Sequence, residues 1–128
     1  VRILLDTHIW LWYLLGDKRL NKKQKAGLDN PDNELFLSPV SIWEAHLLIE
    51  RGRLAVKGTP ASWIKSALSE FSLKEAPLTF PIALRSRRLN FDHGDPADRF
   101  LVATALENKL VLATADETLR KTGAVDLL

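Results

Sequence analysis

The sequence predicts an α/β fold, a short, mostly parallel central sheet with helices on both faces. Three observations carry this expectation. Short apolar runs alternate along the chain with longer segments whose apolar residues recur at helical spacing. Proline or a capping side chain opens many of the helical segments, and glycine closes two of them. Apolar strands separated by helices need a helix layer on each face, which favours parallel pairing.

The elements follow in order. Residues 2–6, RILLD, read as a short buried strand ending at an acid. A helix runs from about Thr7 to Leu15 and is stopped by Gly16. A second, basic helix covers Asn21 to Leu28, ahead of the turn Asn30-Pro31-Asp32-Asn33. Residues 34–38, ELFLS, form the next strand. PVSIWEAHLLIERGR reads as a helix, with Pro39 near its start and Gly52 at its end. Thr59-Pro60 opens another, placing Trp63, Ile64, Ala67, Leu68 and Phe71 at helical spacing. SLKEAP is a short strand and Pro81 to Leu89 a helix. The most clearly helical segment begins at Asp95-Pro96 and runs to about Lys109. LVLATAD is a strand ending near an acid, DETLRK a short helix, and AVDLL a last short strand. Strand order is not readable from these segments.

With 128 residues, 46% hydrophobic and 27% charged, the chain suits a single domain with one core and is neither disordered nor fibrous. It has no cysteine, which excludes disulfides, thiolate metal sites and a cysteine nucleophile, and fits a cytoplasmic location. No apolar run approaches the ~20 residues that span a bilayer, and no signal-peptide pattern opens the chain. A net charge of +2 says little about partners. Two basic groups, Lys18 to Lys25 and Arg85 to Arg88, either follow a phosphate backbone or simply face water.

Five carboxylates stand apart from the other acids because their segments are otherwise mostly apolar: Asp6, Glu44, Asp95, Asp98 and Asp116. Each falls at an expected strand end or in the first turns of a helix. In a parallel sheet those positions share one edge, where such folds bind ligands. Clustered carboxylates repel unless a proton or cation neutralises them, so a hard divalent ion with oxygen ligands is the first expectation. Helix capping is the competing explanation. DPAD is a good helix start by itself, and Asp6 and Asp116 each precede a helix. Glu44 resists that account, lying between Trp43 and Ala45 with Leu48 rather than a base one turn on.

The remaining polar residues form no familiar nucleophilic set. His8, His46 and His93 lack metal-ligand spacing and read as structural, His93 being the one placed to touch a substrate phosphate. Ser38, Ser41 and Thr7 belong to no nucleophile elbow. Thr7 and Thr114 are suited to orient the neighbouring acids by hydrogen bonds. Trp10, Trp12 and Trp43 read as core or interface rather than as a platform for bases, and no phosphate-binding glycine motif occurs.

Four segments in order, LLDTHIWLW, SPVSIWEAHLLIERGRL, DPADRFLVATAL and LVLATAD, resemble the PIN-domain ribonucleases, specifically the VapC-type toxins of toxin–antitoxin pairs. The resemblance covers nearly the whole chain. It implies a three-layer α/β/α PIN-like domain spanning residues 1–128, with an acidic pocket for Mg2+ or Mn2+. It also implies endonucleolytic cleavage of RNA, inhibition by a cognate antitoxin protein, and a homodimer. By position, Asp6, Glu44, Asp98 and Asp116 match the family's four acids. Asp95 belongs to a DPxDR form of the third motif, with Asp98 the favoured ligand. Arg99 is expected to pair with a carboxylate or a phosphate. Three alternatives stand beside this one: a receiver-like magnesium-binding module, a PIN fold serving as a scaffold, and a PIN nuclease outside any toxin system. The first lacks the expected late lysine, and the intact acids speak against the second.

Overall fold

The computed structural model describes residues 1–90, 95–123 and 125–128. In chain order the described elements are β1 (Arg2–Leu5), α1 (Thr7–Leu15), α2 (Lys22–Asp29), β2 (Glu34–Leu37), α3 (Pro39–Glu50) and α4 (Pro60–Leu68). There follow β3 (Leu73–Glu75), α5 (Phe80–Ser86), α6 (Pro96–Asn108), β4 (Val111–Ala113) and α7 (Glu117–Thr122). The four strands pair parallel in the order β3-β2-β1-β4. Chain order therefore runs outward from β1 through β2 to β3, and β4 returns to the other side of β1. That reversal opens a crevice beyond the carboxyl ends of β1 and β4.

Side-chain alternation along the strands divides the core in two. Ile3, Leu5, Leu35 and Leu37 face one layer, where α1 contributes Ile9 and Trp10, α2 Leu28, and α3 and α4 Ala45, Ile64 and Ala67. Leu4 and Leu112 face the other, against Leu101, Val102 and Ala105 of α6 and Leu119 of α7, with Phe36 partly buried alongside. α5 packs on α6. Both faces of β1 are thus fully buried, which is why RILL reads as apolar without alternation. No described helix is long and apolar enough to cross a membrane.

Local signals set the boundaries. Gly16 takes a left-handed φ of 65° as the cap of α1, a conformation that costs other residues more. Asn21, Ser38, Thr59 and Thr79 each accept a backbone N–H at the start of α2, α3, α4 and α5. Some expected bounds were too generous. α4 ends at Leu68, and Phe71 leaves the helix to stack on Tyr13 at 4.5 Å between ring centroids. α5 stops at Ser86 rather than Leu89. AVDLL forms no full strand among the described residues: it makes one parallel bridge, Leu112 to Leu127, with Asp126 and Leu128 bonded to the backbone of Leu112.

Candidate active site

The crevice beyond β1 and β4 is built from helix starts. Asp6 follows β1 directly and caps α1, its Oδ1 accepting the Thr7 N–H at 2.6 Å. Its other oxygen, Oδ2, accepts the Thr114 hydroxyl at 2.7 Å. The Asp6 backbone N–H donates to the Ala113 carbonyl at 2.9 Å, which continues the β1–β4 pairing and fixes where the carboxylate sits. Thr114 is fully buried, and its hydroxyl oxygen also accepts the Asp116 N–H at 3.0 Å. One threonine thereby ties the acid after β1 to the acid after β4.

Glu44 arrives on α3, whose start is set by Ser38 and Pro39. Its Oε1 accepts the Thr7 hydroxyl at 2.5 Å, and Thr7 Oγ1 lies in a second hydrogen bond with Ser41 Oγ at 2.9 Å. Asp95 caps α6 by accepting the Ala97 N–H at 3.0 Å. Asp98 stands in the first turn of the same helix and is buried, whereas Asp95 is exposed. Asp116 caps α7, with Oδ1 accepting from Thr118 at 2.8 Å and Leu119 at 3.2 Å. Capping and convergence therefore coexist: three of the five acids hold helix starts, and all five line one cleft of about 350 Å³. Larger hollows exist, such as one of about 570 Å³ between α5 and α6 that holds a single acid, Glu107. Chemistry rather than size singles out the acidic cleft.

The carboxylates sense one another. Burial pushes the Asp6 carboxyl above the ordinary range, against the pull of its hydrogen bonds from Thr114 and Thr7, and the Asp116 charge adds to the rise. Burial raises Glu44 as well, opposed by the Thr7 bond and reinforced by Asp6 and Asp95. The donor set is all oxygen, the chemistry that selects hard divalent ions. Among the described residues, no three carboxylate or imidazole groups form a set that could hold an ion directly. An ion held here would have to keep water between itself and some of the carboxylates.

Other sequence-identified residues divide. Thr7 and Thr114 orient Glu44 and Asp6. Arg99 Nε and Nη2 donate to the carbonyls of Ser86 and Leu89, at 2.9 and 3.0 Å, at and just beyond the end of α5. Arg99 thus ties α6 to the end of α5, and the described lining of the cleft does not include it. His93 lies outside the described residues. His46 makes a contact with Glu50 on its own helix. Four residues that sequence reasoning did not place in the site do line the cleft: His8, Trp12, Arg19 and Ala115. His8 and Trp12 are one helical turn apart on α1, a spacing that puts them on the face following Asp6.

A family model described as PIN domain matches residues 3–125. The chain is similar to ribonuclease VapC22 of Mycobacterium tuberculosis, 31% identical over 119 residues that cover 92% of this chain and 89% of the relative. In fold it is similar to VapBC2 of Rickettsia felis bound to a promoter DNA fragment, with TM-score 0.73, 14% identity and coverage of 100% and 98% of the two chains. It is likewise similar to Mycobacterium tuberculosis VapC20, a Sarcin-Ricin loop cleaving toxin, with TM-score 0.70, 17% identity and coverage of 98% of each chain. A third is the FitAcB structure from Neisseria gonorrhoeae, with TM-score 0.68, 21% identity and coverage of 98% and 96%. At these identities the three structures show the fold alone.

Proposed function

The chain belongs to the PIN-domain family, and on that premise we propose that it is a metal-dependent endoribonuclease of the VapC type, the toxin of a type II toxin–antitoxin pair. The observation that carries the proposal is the convergence of Asp6, Glu44, Asp95, Asp98 and Asp116 on one cleft at the switch in strand order. The similarity to a ribonuclease over most of both chains supports the substrate class.

Hydrolysis of a phosphodiester forms one P–O bond to a water oxygen, which releases a proton to solvent, and breaks another to a ribose oxygen, where negative charge grows until that oxygen is protonated. Mg2+ or Mn2+ bound in the cleft supplies a lowered water pKa and a positive charge against that growth. The protein's part is to hold the donors. Asp6 keeps its position through Thr114 and the β4 backbone, and Glu44 through Thr7. Asp98 and Asp116 present carboxylates from the first turn of α6 and the start of α7, with Asp95 in support. The reaction needs no side chain as a covalent nucleophile.

The test is cleavage of total and synthetic RNA by the purified protein, with Mg2+ or Mn2+ and with the metal chelated. Cleavage that needs the ion and disappears in Asp6→Asn, with the circular dichroism spectrum unchanged, is the expected result. Full activity in that variant sinks the site assignment. Sequencing the cut ends after expression in cells identifies the RNA, and a small co-purifying antitoxin separates a toxin from a processing nuclease. A chain that cuts RNA but recruits no such partner belongs to the second class. The similarity in fold to a toxin–antitoxin complex from Klebsiella pneumoniae favours the first.

A further inference from the structure

The acidic cleft has a wall that its carboxylates do not explain. Trp12 and His8 line one side of it, their ring centroids 6.0 Å apart and their planes tilted by 55°. The Arg19 guanidinium lies 4.9 Å from the centre of the Trp12 ring. It is held there, not left to wander. Asp17 accepts the Arg19 backbone N–H at 2.9 Å, Nε at 3.1 Å and Nη2 at 2.8 Å, while the Asp17 N–H returns to the Trp12 carbonyl at 2.9 Å. The left-handed Gly16 lets the chain double back for this contact. Hydrogen bonds from the Arg19 side chain and backbone N–H lower the Asp17 carboxyl pKa to about 2, and the guanidinium charge adds to them.

A surface loop has no need of so many bonds around one exposed arginine, whose side chain is 68% accessible. Two properties follow. Among the described residues lining the cleft, Arg19 is the one lysine or arginine, and a polyanion approaching five carboxylates needs such a group. Two of its five N–H donors are used on Asp17, which leaves others to meet phosphate or base. The second property is planarity. An indole, an imidazole and a guanidinium beside a phosphodiester site form the set on which unpaired bases stack, since every base has a π-face. Trp12 also packs on the apolar cluster below it, which anchors the ring as a rigid wall.

We propose that Trp12, with Arg19 laid against it, is a base-stacking subsite that receives one unpaired nucleotide of the RNA next to the scissile phosphate. The proposal rests on the nuclease reading and adds what determines which nucleotide is held. It requires the substrate to be single-stranded, or opened, at that position. Base identity matters little to stacking itself, so the subsite sets register more than sequence.

The experiment uses the Asp6→Asn protein and a short fluorescent oligoribonucleotide spanning a cleavage site mapped with the wild-type enzyme. Absence of any mapped site defeats the nuclease reading before this test begins. Otherwise, binding is measured by anisotropy with each nucleotide in turn made abasic. At one position, loss of the base should weaken binding about tenfold. Adding Trp12→Leu should reduce that loss to less than about twofold, whereas adding Trp12→Phe should keep most of it. Arg19→Gln should weaken binding of all the oligonucleotides together. Equal penalties for the missing base with and without Trp12→Leu overturn the proposal. Should Trp12→Leu not fold, the Asp6→Asn protein is irradiated with 5-iodouridine placed at each position. A crosslink to the peptide carrying His8 and Trp12 supports the subsite, and crosslinks only elsewhere overturn it.

Discussion

Replacing Thr114 by valine keeps the shape of a fully buried side chain and deletes one hydroxyl. That hydroxyl donates to Asp6 Oδ2 and accepts the Asp116 N–H, so both partners lose a bond at once. A hydrogen bond to an ionised group contributes ~1.5–3 kcal/mol, and a neutral one about 1 kcal/mol. Asp116 is only partly buried, so water can recover some of its share. A loss of about 3 kcal/mol at about pH 7 is the working figure, or roughly 10 °C in Tm for a chain of this length. The sign of its pH dependence follows from Asp6. Burial already raises that carboxyl, and Thr114 pulls it down, so the variant's Asp6 must rise further. A raised folded-state value means the ionised form costs stability, a cost absent below the unfolded value and complete above the folded one. The deficit of Thr114→Val is therefore largest at neutral pH and shrinks as pH falls toward about 4. Thermal unfolding followed by circular dichroism in metal-free buffer measures both quantities, with Thr114→Ser as the control that retains the hydroxyl. A Tm within about 2 °C of wild type at neutral pH, or a deficit that grows on acidification, refutes the reasoning.

Asp6→Asn removes a buried charge and keeps a good capping side chain, so in metal-free buffer it should melt above wild type, and added Mg2+ should narrow the gap by stabilising only wild type. Asp95→Asn should leave the Tm unchanged, since asparagine caps as well as aspartate, whereas Asp98→Asn should lower the apparent affinity for Mn2+ in RNA cleavage by about 10–100-fold. Arg99→Met should cost about 2 kcal/mol of stability through the carbonyls of Ser86 and Leu89, seen in urea unfolding. Its metal-induced rise in Tm should persist, and a loss of that rise alone would instead assign Arg99 to the cleft.

Nearly every helix was legible in the sequence, because the signals that start and stop helices are local. Gly16, Asn21, Ser38-Pro39, Thr59-Pro60 and Asp95-Pro96 sit within a residue of the observed boundaries. Strand order was not legible, since nothing near β4 in sequence records that it pairs with β1, more than a hundred residues away. AVDLL looks like a strand by composition, yet its observed pairing is one bridge to Leu112. Similar reasons divide the site. The acids stand out because charge in apolar segments is costly unless it has a use. Trp12 and Arg19 did not, because apolar and basic residues have ordinary explanations, and only the fold-back at Gly16 and Asp17 brings them together. The bonds from Arg99 to the carbonyls of Ser86 and Leu89 were likewise visible only in three dimensions.

The same geometry explains how five acids can share the cleft. α1, α6 and α7 begin at Asp6, Asp95 and Asp116, so three helix N-termini bring their positive ends to the cleft. Each end is equivalent to roughly half a positive charge and acts mainly within its first turn. Three half-charges offset fewer than two carboxylates, and the Glu44 carboxylate, in the second turn of α3, receives little of even that. Burial raises the carboxyls of Asp6 and Glu44, and the charges of neighbouring acids add to both shifts. A bound proton relieves that pressure one charge at a time and removes a ligand as it does so. A divalent ion would relieve it for several acids together without protonating any of them. Under the nuclease reading a bound cation would answer that pressure, and the helix caps that make the acids look structural would hold them in place for it.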